Sequence, residues 1–285
     1  MLSPVAPPMN YRHEYHAGNF ADVVKHLALV AILLHLKKKD APFAVIDTHA
    51  GRGLYRLRGE KASRTGEAEG GVARLAGLSG GPPALETYLE LVRSSGADFY
   101  PGSPLIAAKL LRPSDRLVAI EKHPEEFAAL KAALAPYAKA RAVEADGYAR
   151  LKALLPPPER RGLVLIDPPY EQMSEFADAA RAVAEMTRRF ATGMALVWFP
   201  LKSPHDADAF TGEVLAAGVK KLLRVDIETA SGAADRLNAA GIAVVNPPYG
   251  FAAEMRASLD LIAPLLGRNA GTRAQARLDW LAGQE

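Results

Sequence analysis

The chain has 285 residues, 35 Lys+Arg against 32 Asp+Glu for a formal charge of +3, and 49% hydrophobic residues. That composition supports a buried core and excludes a disordered chain, and the absence of cysteine excludes disulfides, thiolate metal sites, iron–sulfur clusters and cysteine nucleophiles. The longest apolar run, Leu27–Leu34, is far short of the roughly 20 residues of a membrane span, and the first nine residues lack a signal-peptide pattern, so a cytoplasmic protein is expected.

In chain order, residues 1–10 read as a proline-bearing, flexible tail. Asn19 is placed to cap a helix running to about Lys38, with Val23, Leu27, Val30, Ala31 and Leu34 on one face. Strands are predicted at Phe43–Asp47, Arg116–Glu121, Ala142–Asp146, Leu163–Asp167, Met194–Phe199, Lys221–Ile227 and Ile242–Asn246. Helical stretches separate them, which predicts an α/β fold with a mostly parallel sheet. Residues 53–104 are too long for an ordinary βα connection. They carry Gly80–Pro83 as a joint and the helical pattern Ala84–Val92, and are read as an inserted helical subdomain. The main domain is then 11–52 together with 105–285. No heptad repeat calls for a coiled coil, so a monomer is expected.

The chemistry concentrates at strand ends, where open α/β sheets bind ligands. Asp167-Pro168-Pro169-Tyr170 follows the apolar run Leu163–Ile166. Two prolines stiffen that corner. Asp167 and the Pro168 carbonyl supply acceptors for a planar exocyclic amine, and Tyr170 an aromatic face for its ring. Asp47-Thr48-His49-Ala50-Gly51-Arg52-Gly53 is a glycine turn suited to close approach of a ligand, yet it is neither a dinucleotide fingerprint nor a P-loop. Glu121 ends the next strand, where an acid can hold ribose hydroxyls; Asp146-Gly147 end the third, placed for an adenine amine. For each acid alone a solvated strand-end charge is the preferred reading; four strand ends in register favour a site.

Other features carry less. His13, His16, His26 and His49 lack the spacing of a metal site, and no metal is expected. The basic residues Arg52, Arg56, Arg58, Lys61 and Arg64, and Lys37–Lys39, either track phosphates or are ordinary surface charge. Asn246-Pro247-Pro248-Tyr249 duplicates the look of the proline corner and is read as a structural turn.

Asp167–Tyr170 resembles motif IV, and Asp47–Gly53 motif I, of S-adenosylmethionine-dependent amino methyltransferases. The block Tyr11–His26, with Asp47–Gly51, Tyr100–Pro104 and Asn246–Tyr249, resembles the RlmJ family of 23S ribosomal RNA N6-adenine methyltransferases in the same order along the chain. Phe20, where a more polar residue is expected, and Tyr249, where Trp is frequent, depart from the pattern. The resemblance implies a Rossmann-like class I methyltransferase that uses S-adenosylmethionine on 23S ribosomal RNA, before full ribosome assembly. It implies that Lys25, His26, His49, Ser103, Glu121, Asp146, Gly147 and Asp167 line the cofactor site. Asp167 is then catalytic, with Tyr11, Pro168 and Tyr170 toward the substrate. A DNA adenine methyltransferase and a non-catalytic RNA-binding module are the alternatives.

Overall fold

The computed structural model describes residues 16–57, 67–172, 174–229, 237–267 and 273–284. The tail at 1–10, Tyr11 and the basic residues Arg58, Lys61 and Arg64 lie outside them. An eight-stranded sheet forms the centre. It runs, in spatial order, β10 (Ala274–Ala282), β8 (Leu222–Thr229), β9 (Ala239–Val245), β7 (Met194–Pro200), β6 (Gly162–Ile166), β1 (Ala44–Asp47), β4 (Arg116–Glu121), β5 (Ala140–Glu144). From β5 to β7 all pairings are parallel, and β9 is antiparallel to both β7 and β8. All seven predicted strands form. The chain winds outward from β1 to β5, then returns to β6 on the other side of β1, so strand order reverses between β1 and β6. This is a Rossmann-like α/β fold, and the crevice at such a reversal is where these sheets bind ligands.

β6 is wholly apolar and every residue of it is buried, as a central parallel strand covered on both faces must be. One face is covered by α1 (Phe20–Lys37), α3 (Pro83–Arg93), α4 (Ser103–Leu110) and α9 (Phe251–Ile262). The other is covered by α6 (Gly147–Leu154), α7 (Ser174–Arg189) and α8 (Pro204–Ala216), and α5 (Pro124–Leu134) packs beside β4 and β5. Asn19 caps α1 as the sequence indicates, its side chain accepting from the Asp22 N–H at 2.9 Å. α1 is buried almost all round, which explains why Lys25 and His26 on it are both inside.

The long segment 53–104 holds α3, a short α2 (Glu67–Gly70) and a 3₁₀ turn at Val72–Leu75. It also forms a strand pair absent from the sequence reading, β2 (Leu54–Arg56) with β3 (Phe99–Pro101). These strands are too short to show an alternating pattern. Val72, Leu75, Leu85, Tyr88 and Tyr100 join the core built on α1, so the segment is packed into the main body. β10 also escaped prediction: its polar-rich sequence pairs on one side only, with β8, so little of it is buried.

Candidate active site

Asp167 follows β6 directly, and Asp47 ends the parallel neighbour β1, in register with Leu165 two residues before Asp167. The Lys25 ammonium, from the second turn of α1, reaches Asp167 Oδ2 at 2.5 Å and Asp22 Oδ1 at 2.8 Å. Lys25 is 3% exposed. Burial alone would strip its proton, but the two carboxylates outweigh that and hold its pKa above the ordinary lysine value. Asp22 is itself fixed by the Gly18 N–H at 2.9 Å. Asp167 Oδ1 has no hydrogen-bond partner among the described residues, and the side chain is 16% exposed. The corner therefore presents one locked carboxylate oxygen and one available one.

The turn after β1 is tied down at each residue. Ser103, the first residue of α4, donates its hydroxyl to Asp47 Oδ2 at 2.7 Å, and the His49 N–H reaches Asp47 Oδ1 at 3.3 Å. The Thr48 hydroxyl donates to the Leu165 carbonyl at 2.9 Å and lies 2.8 Å from His49 Nδ1. Its single proton is thus committed, so His49 Nδ1–H is the donor to Thr48 and Nε2 is left as the acceptor. Burial pushes the His49 pKa down to about 4, against the pull of Asp167 and Asp146, and keeps the ring neutral. That ring packs edge-on to Tyr148, with centroids 4.8 Å apart.

Glu121, at the end of β4, receives the Gly51 N–H at 2.9 Å on one oxygen and the His123 N–H at 2.7 Å on the other. Burial pushes its carboxyl above the usual range, and these backbone donors work against that. Gly51 has φ +62°, and a Cβ there would lie 2.1 Å from the Tyr55 hydroxyl, so only glycine makes this turn. Asp146 caps α6 through the Ala149 N–H at 3.1 Å and pairs with Lys122 at 3.0 Å. Burial would raise its pKa, but these two partners hold it below the carboxylate range. Gly147 brings α6 against the β1 turn.

The remaining candidates fall differently. His26 is buried, its Nδ1 2.7 Å from the Tyr100 hydroxyl, which in turn lies 3.2 Å from that of Tyr88. Tyr170 is 8% exposed. Its ring packs on Phe176 and Trp198, and its hydroxyl donates to the Trp198 carbonyl at 2.9 Å. The expected base-stacking face is thus turned into protein, and stacking on a base requires the ring to leave Phe176. Pro168 is buried and Pro169 half-buried beside Asp167. Tyr11 lies outside the described residues. Arg52 is not a spare phosphate ligand, because a two-point pair with Glu126, both contacts 2.9 Å, ties it to α5. Among the described residues no three His, Cys, Asp or Glu side chains are grouped to hold a metal ion.

Sequence reasoning missed Asp22 as the second carboxylate on Lys25, although the i,i+3 spacing on α1 was a visible signal. It also missed Trp198, whose ring centroid lies 5.9 Å from Lys25 Nζ. Trp198 is placed there by β7 pairing with β6, which no local pattern reveals.

Asp47 makes a measurable prediction. Burial pushes its pKa up to about 7, the Asp167 charge adds to that, and the Ser103 hydroxyl opposes it. The folded protein therefore binds a proton more tightly here than the unfolded chain does. Its contribution to stability is full below about pH 4 and is lost as pH rises toward 7. Chemical denaturation at pH 5 and pH 8 is expected to show wild type losing more stability than Asp47→Asn over that interval, by up to a few kcal/mol. Equal losses in the two proteins would refute the assignment.

The chain is similar to known proteins over most of its length. Residues 40–282 match the family described as "Ribosomal RNA large subunit methyltransferase D, RlmJ". The chain is 41% identical over 252 residues to ribosomal RNA large subunit methyltransferase J of Escherichia coli K12, covering 87% of this chain and 90% of that one. It is 36% identical over 264 residues to the protein of the same name from Haemophilus influenzae, covering 90% and 94%. Among solved structures, protein LPL1258 of Legionella pneumophila superposes with a TM-score of 0.84 at 30% identity, covering 93% and 98%. With a family match over most of its length and two relatives above 30% identity across nearly their whole chains, the protein belongs to the RlmJ family of large-subunit ribosomal RNA methyltransferases.

Proposed function

We propose that this protein transfers a methyl group from S-adenosylmethionine to the exocyclic N6 amine of one adenine in 23S ribosomal RNA. The observation that carries the reading is Asp167, a carboxylate at the strand reversal with Oδ2 locked by Lys25 and Oδ1 available. Family membership supports an RNA substrate.

The residues fit the cofactor. Both Glu121 oxygens accept backbone N–H groups, and a carboxylate's remaining lone-pair capacity is left for ribose hydroxyl donors. Asp146 has a side chain 42% exposed and can accept from an adenine amine beside Gly147. His49 and Tyr148 supply an aromatic wall. Ser103 acts through Asp47 by holding the floor of the turn. S-adenosylmethionine, when bound, supplies an electrophilic methyl group on a sulfonium.

An adenine amine is a weak nucleophile because its lone pair is delocalised into the ring. Asp167 Oδ1 and the Pro168 carbonyl accept its two N–H bonds and turn the lone pair out of the ring plane. As positive charge develops on the nitrogen, the fixed carboxylate stabilises it more than it stabilised the neutral amine, and that difference lowers the barrier. Lys25 keeps the carboxylate in one orientation, so no reorganisation is needed during the reaction. The amine proton leaves after the methyl has arrived, with Asp167 as its first acceptor.

The test is direct. The protein is incubated with S-adenosylmethionine and deproteinised 23S ribosomal RNA from cells lacking it, or with the assembled large subunit. N6-methyladenine is then mapped by mass spectrometry. One modified adenine, formed more readily in the deproteinised RNA, is expected; unmodified RNA in both arms overturns the reading.

A further inference from the structure

The edge of the sheet opposite Asp167 carries a second group of features that the catalytic reading does not use. A cleft of about 270 Å³ opens there, lined by His35, Lys39, Arg160, Arg161, Thr192 and Met194. It lies between the C-terminal end of α1 and the residues entering β6 and β7. Arg161 is six residues before Asp167, so β6 separates the two sites by roughly 20 Å.

The cations of the cleft are largely uncompensated. Arg161 donates to the carbonyls of Leu36 and Ala41, at 2.5 and 2.9 Å, and still has N–H groups to spare. Lys39 and Arg160 are exposed, and neither side chain has an ion pair among the described residues. The adjacent acids are already spent: Glu159 on Arg116 and Asp115 on Arg112, each as a two-point pair. Asp40 remains, exposed, beside Lys39. Arg160 sits at φ +48°, a conformation costly for a residue with a Cβ.

An aromatic group stands at the same edge. β9 runs antiparallel to β7, so Asn246-Pro247-Pro248-Tyr249 emerges at the end of the sheet away from Asp167. The Asn246 side chain donates to the carbonyls of Ala191 and Gly193, at 3.0 and 2.8 Å, which flank Thr192 of the cleft. Tyr249, three residues further on, is 82% exposed. Lys220 and Lys221 are exposed beside it, the Lys221 carbonyl accepting from the Asn246 N–H at 2.9 Å. An exposed aromatic next to a basic cleft is the pairing that single-stranded nucleic acid uses: a π-face for a base and cations for phosphates.

We propose that this edge is a second RNA site, in which Lys39, Arg160 and Arg161 take phosphate groups of a single-stranded segment and Tyr249 stacks one of its bases. The site engages nucleotides well away from the target adenine, because the whole length of β6 lies between them. The proposal rests on the RNA-methyltransferase reading above. It is tested by binding without any methyl donor, so a failure of wild-type turnover and a failure of this site are separate results.

His35 serves as a local reporter. Burial, then Lys38, Arg161 and Lys39, hold its pKa below the ordinary histidine value. An anion in the cleft cancels that cationic field, so the His35 pKa is expected to rise on addition of RNA, read by NMR. With deproteinised 23S ribosomal RNA as the probe, the double variant Lys39→Glu/Arg160→Glu is expected to weaken binding about tenfold or more in moderate salt. The logarithmic salt dependence should flatten by about 1–2. Tyr249→Ala is expected to weaken binding about fivefold or more with the salt dependence unchanged. All three side chains are exposed, so the variants are expected to fold as wild type. Inorganic phosphate is the control ligand: if it shifts His35 while both variants bind RNA as wild type does, the site takes free phosphate and the RNA assignment is overturned. RNA affinity unchanged in both variants with an unmoved His35 overturns it entirely.

Discussion

Replacement of Asp167 by alanine is expected to lower methyl transfer by about 10²–10³-fold or more while S-adenosylmethionine affinity stays within a few fold of wild type. The magnitude is that of removing one preorganised electrostatic group aimed at charge that develops only in the transition state. Folding should survive. Lys25 loses one partner, but Asp22 remains 2.8 Å away, so the buried ammonium is not left alone. Asp167→Asn separates charge from geometry: it keeps an oxygen acceptor but loses the negative charge that faces Lys25 and, in the proposed mechanism, the amine nitrogen. It is expected to fall near the alanine variant if charge dominates, and close to wild type if hydrogen-bond acceptance alone is enough. The measurement is single-turnover methylation of 23S ribosomal RNA beside calorimetric cofactor binding. Wild-type turnover in Asp167→Ala removes the residue from the mechanism.

Gly147→Ala is expected to damage cofactor binding and stability together. A Cβ at Gly147 would lie 1.9 Å from the Thr48 carbonyl oxygen and 2.8 Å from its carbon. These are backbone atoms, and they cannot swing aside. Thr48 is pinned by its N–H and its hydroxyl, both donating to the Leu165 carbonyl at 3.0 and 2.9 Å. The strain must therefore open the gap between α6 and the β1 turn, moving Asp146 away from His49 and Glu121. Overpacking of this kind costs about 1–3 kcal/mol. Several degrees of melting temperature and about tenfold in S-adenosylmethionine affinity are the expected losses. Gly212→Ala in α8 is the control: its Cβ meets nothing within 4 Å and helix propensity improves, so equal or higher stability is expected. A Gly147→Ala protein that melts and binds like wild type shows that the turn and α6 are not held this tightly.

Much of this site was legible because its carriers are local. Asp167-Pro168-Pro169-Tyr170 is contiguous and follows an unbroken apolar strand, so its place at a strand end could be read directly. The same holds for the Asp47–Gly53 turn and for Glu121, each closing a β-rich run. Tyr170 shows where local reading stops. A tyrosine after two prolines looks like a free aromatic face, yet Phe176 on the next helix and Trp198 on the neighbouring strand supply a pocket for its ring. Trp198 is distant in sequence, and nothing in the motif announces it. Asn246–Tyr249 is the converse case. It looks like the Asp167 corner, but an antiparallel strand delivers it to the opposite edge and leaves Tyr249 in solvent.

From the chain alone came the alternation of strands and helices, the acids at strand ends and the glycine turn, because hydrophobic periodicity and turn chemistry act over a few residues. Only the folded molecule decided that Lys25 from α1 meets Asp167 from β6, 142 residues later, and that Ser103 closes on Asp47. Those contacts follow from strand order. The strand order reverses between the parallel neighbours β1 and β6, and burial there forces each charge to find a partner that no sequence window contains.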